Sequence, residues 1–132
     1  MARVLRPELL RASFAVSGTS VAATRRCLLK LSGVVAGRSY GMPSFLLHGR
    51  FFARFRDDDT VLVLQLTTIN ERDVLMDLDP AVFFFTDHYR NYPAVLIRLA
   101  EVTPTLLTSV VREAWEQLSA RRPKRSSRAR QG

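Results

Sequence analysis

At 132 residues the chain fits one domain and is too short for two ordinary cores joined by a linker. Apolar residues make up 47% and charged residues 24%, which excludes wholesale disorder, while 20 Lys+Arg against 12 Asp+Glu give a net charge of +8 and point to an anionic partner such as nucleic acid. A single Cys27 excludes an internal disulfide and a cysteine zinc site, His48 and His88 are a poor ligand supply, and a reducing, cytoplasmic location fits.

The charge is unevenly spread. Residues 1–38 hold seven cations and one acid, residues 39–120 hold seven cations and eleven acids, and residues 121–132 hold six cations and no acid. No apolar run approaches the roughly 20 residues of a membrane-spanning helix, because Arg, Asp or Glu breaks each one. Arg6, Glu8 and Arg11 interrupt the apolar residues near the start and leave no secretory core. Thr24-Arg25-Arg26-Cys27-Leu28-Leu29-Lys30 is similar to a twin-arginine export motif, yet Arg38 ends the apolar stretch behind it and no small-x-small cleavage site follows. An amphipathic helix from about Ser20 to Ser32 accounts for the same residues, with Val21, Thr24, Leu28 and Leu31 on one stripe.

Period-two alternation then predicts strands around Phe45 and Leu47, and around Phe51, Ala53 and Phe55. Gly49 supplies the turn between them, and Asp57-Asp58-Asp59-Thr60 turns into a third strand, Val61 to Leu66. Asn70 caps a helix through Leu78, with Glu71 and Asp73 in its first turn and Val74, Leu75 and Leu78 as its buried stripe. Asp79-Pro80 opens a short turn, and Phe84–Tyr92 and Ala94–Leu99 are two further strands. Thr103-Pro104 starts a last helix whose Leu107, Val110, Val111, Ala114, Trp115 and Leu118 recur at helical spacing. Beyond it, residues 121–132 form a basic tail almost without apolar groups, expected to be disordered. The expected fold is α+β, in the order α-β-β-β-α-β-β-α, an antiparallel sheet of about five strands with helices on one face and the other face free.

Ser39-Tyr40-Gly41-Met42-Pro43-Ser44-Phe45, Gly49-Arg50-Phe51-Phe52-Ala53, Glu71-Arg72 with Leu75, Asp79-Pro80, Thr86-Asp87-His88-Tyr89 with Tyr92-Pro93, and Arg98-Leu99 form an ordered set. That set resembles the MmcQ/YjbR family of small bacterial proteins, over about Thr19 to Lys124. The resemblance implies a CyaY-like fold similar to the double-wing architecture, and DNA binding as the function. Ala94 departs from the family, in which many members carry Trp, and residues 1–18 have no counterpart in its pattern, so the resemblance implies an N-terminal extension over 1–18 and a single domain over 19–120.

Alternation places Arg50, Arg54 and Arg56 on the face opposite Phe51, Ala53 and Phe55, with Phe52 among them and Arg98 joining from a later strand. A basic, aromatic-bearing sheet face suits a phosphate backbone, although Asp57–Asp59 at the hairpin tip repel it. Arg121, Arg122, Lys124 and Arg125 add a tail whose attraction to DNA is salt-sensitive. The alternative is a protein-interaction or self-association module, with Leu46, Phe52, Val61 and Val63 on the open face docking a partner. Asp87-His88-Tyr89-Arg90 concentrates polar chemistry, but strand neighbours face opposite ways and no nucleophile elbow, phosphate loop or zinc motif accompanies it, so no enzyme, cofactor or small-molecule substrate is expected. Frataxin-type proteins share the CyaY-like layout and bind iron on an acidic first helix; Arg25, Arg26 and Lys30 give this one the wrong sign, and helix capping accounts for Glu71, Asp73, Asp77 and Asp79, so no metal is expected.

Overall fold

A computed structural model describes the backbone of residues 18–131 and the side chains up to Arg121; the expected extension over 1–18 therefore lies, Gly18 apart, outside the described residues. Ser20 caps the first helix of the described residues, α1 (Val21–Leu29), by accepting a hydrogen bond from the Ala23 N–H, and Thr24 and Leu28 form its buried stripe. Four strands follow: β1 (Val34–Ser39), β2 (Met42–Leu47), β3 (Arg50–Arg56) and β4 (Val61–Gln65). The first two hairpins turn on Tyr40-Gly41 and His48-Gly49, each pair with positive φ, which is the two-residue turn whose twist matches the strands.

Helix α2 (Ile69–Leu78) starts earlier than Asn70. Thr68 accepts from the Glu71 N–H while Glu71 reaches back to the Thr68 N–H, a reciprocal cap that uses the hydroxyl and carboxylate three residues apart. Its inward side is also different from the expected stripe: Val74 and Leu78 are exposed, Leu75 and Met76 are half-buried, and Arg72 is buried. After β5 (Phe83–Phe84), a 3-10 turn over Asp87–Tyr89 leads to β6 (Ala94–Arg98) and then to α3 (Pro104–Gln131).

All strand pairs are antiparallel, in the order β1-β2-β3-β4-β6-β5. The fold is α+β as expected, with six strands among the described residues in place of about five. The added strand is β1, where Gly37 and the polar ends of the segment weaken the hydrophobic signal. The expected strand Phe84–Tyr92 reduces to two residues because the Thr86 to Arg90 segment folds into a turn, with Tyr89 N–H donating to Thr86 O at 2.9 Å and Arg90 N–H to Asp87 O at 3.1 Å. Composition predicts disorder from residue 121, whereas the α3 backbone runs helically through Gln131. Arg, Lys, Ala and Gln favour a helix there, against Pro123, which removes one intrahelical hydrogen bond.

One face of the sheet carries the main core. Leu28, Phe45, Leu47, Phe52, Leu62, Leu64, Phe83, Val95, Ile97, Leu107 and Val111 meet there, bringing α1 and α3 onto the sheet, and α2 packs through Leu75 and Met76. The opposite face is not free. Val61, Val63, Ala94 and Leu96 are buried on it, packed by Phe51, Phe84 and Tyr89.

Candidate functional site

The arginines expected on the second sheet face are only partly brought together. Register aligns Arg56, Val61 and Arg98 in one cross-strand row, and Arg54 opposite Val63, so these three arginines share the face. Arg50 does not join them. A bulge leaves Phe52 unpaired between the Phe45↔Ala53 and Leu46↔Phe51 pairs, and this extra residue reverses the alternation. Arg50 consequently pairs with Leu47, a member of the helix-covered core, and Phe52 enters that core at 0% exposure. Phe52 is therefore a packing residue and not part of an interface.

The three arginines that do share the face are occupied within the molecule. Arg54 Nη2 donates to the Tyr89 hydroxyl at 3.3 Å, and Arg56 Nε donates to Asp57 Oδ1 at 3.2 Å. Arg98 Nη1 donates to the Ala81 carbonyl at 3.1 Å while its guanidinium lies 4.0 Å from the Phe84 ring centroid. Each thus has a hydrogen-bonding partner within the molecule. The open docking face expected from Leu46, Phe52, Val61 and Val63 is likewise closed, since Phe52, Val61 and Val63 are all buried.

The segment Asp87 to Arg90 does not converge on a reaction centre. Arg90 bonds Asp87, while the His88 ring meets Tyr89 edge-on at 4.7 Å and stacks near Tyr92 at 6.2 Å. Buried Arg72 holds this loop in place, donating to the Tyr89 carbonyl at 3.1 Å and the Arg90 carbonyl at 3.2 Å with its guanidinium 3.9 Å from the Phe85 ring centroid.

A cleft that the sequence did not announce lies between α1 and the first half of α3. It has a volume of about 520 Å³, and Arg26, Lys30 and Arg112 line it together with Thr19, Cys27 and Thr108. Arg26 and Lys30 are four residues apart and so share a helix face. Arg112 reaches the same cleft because α3 packs alongside α1, where Cys27 Sγ and Thr108 Oγ1 lie 4.0 Å apart. Trp115 Nε1 donates to the Ser32 carbonyl at 2.9 Å and fixes the two elements at the other end. The spacing of Arg26 and Lys30 is a legible signal; their meeting with Arg112 depends on tertiary packing. Of the expected tail residues, Arg121 is exposed and its Nη1 donates to the Thr67 carbonyl at 3.4 Å, whereas Arg122, Lys124 and Arg125 are placed only as backbone of α3.

The similarity to known proteins is short. Thirty-seven residues are 49% identical to uncharacterised proteins of Mycobacterium bovis and of two strains of Mycobacterium tuberculosis. The match covers 28% of this chain and 29% of each of those proteins, so the chain spans less than a third of the length of the curated relatives it matches. No family model matches the chain. No solved structure matches it.

Proposed function

We propose that this protein binds nucleic acid through the phosphate backbone, without catalysis and in the cytoplasm, and that the cleft between α1 and α3 together with the basic residues 121–132, rather than the sheet face, makes the contact. The carrying observation is the contrast between the two sets of cations. Arg54, Arg56 and Arg98 are held by internal partners, whereas Arg26, Lys30 and Arg112, the last 5.9 Å from the Trp115 ring centroid, line a cleft with no carboxylate among its described lining residues, and beyond Arg121, which donates to the Thr67 carbonyl, residues 122–132 add five cations and no acid. Among the described residues only Arg56 of the sheet-face set meets a carboxylate, but all three have donors engaged within the protein, and backbone binding is best served by cations whose donors are free to reach phosphate. The ordered motifs that resemble the MmcQ/YjbR family agree with this reading, and membership of that family is part of the proposal.

The test is a fluorescence-anisotropy titration of the intact chain with short duplex DNA at several salt concentrations. Binding at low salt that weakens steeply as salt rises supports the reading. Absence of binding at low salt rejects it.

A second reading is favoured by the β1 edge. Among the described residues β1 has no partner along its outer side, and Val35, Tyr40 and Met42 on its hairpin are 55%, 100% and 46% exposed. An unpaired strand with apolar neighbours is a template for pairing with another chain. Light scattering across a concentration series tests it, because self-association through this edge raises the mass with concentration and a Val35→Lys substitution abolishes the rise.

A further inference from the structure

The cleft between α1 and α3 has the composition of an anion site. Its cations come from two separate helices, and no carboxylate lines it among the described residues. Like charges gathered on one concave wall repel one another, and an anion seated between them relieves that repulsion. The neutral groups fit the same purpose. Thr108 brings a hydroxyl, while that of Thr19 is already donated to the Val102 carbonyl at 3.0 Å, and Pro104, the first residue of α3, completes that end of the lining. Thr103 caps this end by accepting from the Leu106 N–H at 3.1 Å. Arg26 and Lys30 sit at the last turn and cap of α1, where the helix end alone would repel an anion, and their charges reverse its sign. Ala23, Leu31, Leu107 and Val111 give the floor an apolar part, and the volume is in the range that holds a small ligand or one unit of a polymer.

We infer that this cleft seats a phosphate group, with Arg26, Lys30 and Arg112 as its charged grip and Thr108 as a neutral donor. Two sources share that chemistry, a free phosphate compound and a nucleic-acid backbone. The inference rests on the function proposed above only for the second source.

Cys27, the only cysteine of the chain, lines the cleft and serves as a reporter. The rate of its alkylation by neutral iodoacetamide is measured on the intact chain at matched ionic strength, with inorganic pyrophosphate and separately with short duplex DNA, while anisotropy records duplex binding. A blocking ligand at about ten times its Kd slows the reaction about tenfold. Pyrophosphate is expected to do so, and an R26Q/K30Q/R112Q variant is expected to lose the protection. All three substituted residues are exposed, and circular dichroism checks that the variant stays folded.

Protection by both ligands makes the cleft part of the nucleic-acid site. If pyrophosphate protects while duplex binds without protecting, the cleft takes a free phosphate compound and the nucleic-acid reading stands on other residues. If pyrophosphate protects and duplex does not bind, the nucleic-acid reading fails and the cleft assignment survives. Pyrophosphate giving no more protection than chloride, or protection that persists in the triple variant, overturns the cleft assignment.

Discussion

Phe52 and Arg54 stand two positions apart and have unrelated roles. Phe52 is enclosed in the helix-covered core, so Phe52→Ala leaves a cavity and is expected to cost about 3–5 kcal/mol of stability. Urea unfolding measures this, and a loss under about 1 kcal/mol would return Phe52 to the surface. Arg72 is the second decisive residue. Its guanidinium satisfies carbonyls of the 89–92 loop and stacks on Phe85, so Arg72→Met removes charge-assisted hydrogen bonds and a cation–π contact worth together about 3 kcal/mol. The neighbouring ion pair with Asp73 adds little, because Asp73 is exposed. Unfolding of the variant by urea, with circular dichroism as readout, checks the value. Neither role is legible in the residues themselves. Strict alternation assigns Phe52 to the wrong face because a bulge leaves no signature in the strand's own sequence, and an Arg is by default an exposed residue.

At the scale of elements, strong local signals identify structure and weak ones mislead. Ser20 with the Thr24 and Leu28 stripe identifies α1, and the β-branched run at Val61 to Leu64 and the spacing from Leu107 to Ala114 identify β4 and α3. The β1 strand escapes periodicity because Val34, Val35 and Ala36 are followed by Gly37, Arg38 and Ser39, which carry little strand preference. Phe84 to Tyr92 resembles one long strand because aromatic residues favour strands, while Asp87 and Asn91 favour turns and prevail. The α2 cap lies two residues before the expected Asn70, since Asn70 and Thr68 are both good caps and Glu71 three places after Thr68 decides between them. Thr68→Ala breaks that reciprocal cap and is expected to lower stability by about 1 kcal/mol, whereas Asn70→Ala, beyond the cap, should change it by less than about 0.5 kcal/mol. Thermal melts of the two variants make the comparison, and equal losses would place the cap elsewhere.

For the whole molecule, net charge is a poor guide until its cations are sorted by what they already hold. The chain's +8 comes from its two ends, while residues 39–120 carry more acids than bases. Within that middle section Arg54, Arg56, Arg72 and Arg98 serve the fold through hydrogen bonds to Tyr89, Asp57, main-chain carbonyls and aromatic rings. Packing of α1 against α3 joins Arg26 and Lys30 to Arg112 in one cleft, which composition and periodicity along the chain do not reveal. Periodicity carries the α+β layout and charge distribution carries the weight of the basic ends, whereas the choice between sheet face and ends depends on the register and the hydrogen bonds. Replacing the sheet-face set, R54Q/R56Q, is accordingly expected to reduce stability and to leave duplex affinity within about twofold at fixed salt, a change under about 0.5 kcal/mol.

The most direct measurement is the slope of log Kd for duplex DNA against log salt concentration, for the intact chain, for R26Q/K30Q/R112Q and for R54Q/R56Q. Each phosphate that a variant no longer neutralises reduces the slope by about 0.9, so the cleft variant, which loses its one seated phosphate, is expected to flatten it by about 1 while the sheet-face variant leaves it unchanged. A flattened slope in R54Q/R56Q together with an unchanged one in R26Q/K30Q/R112Q would contradict the account and return the interface to the sheet.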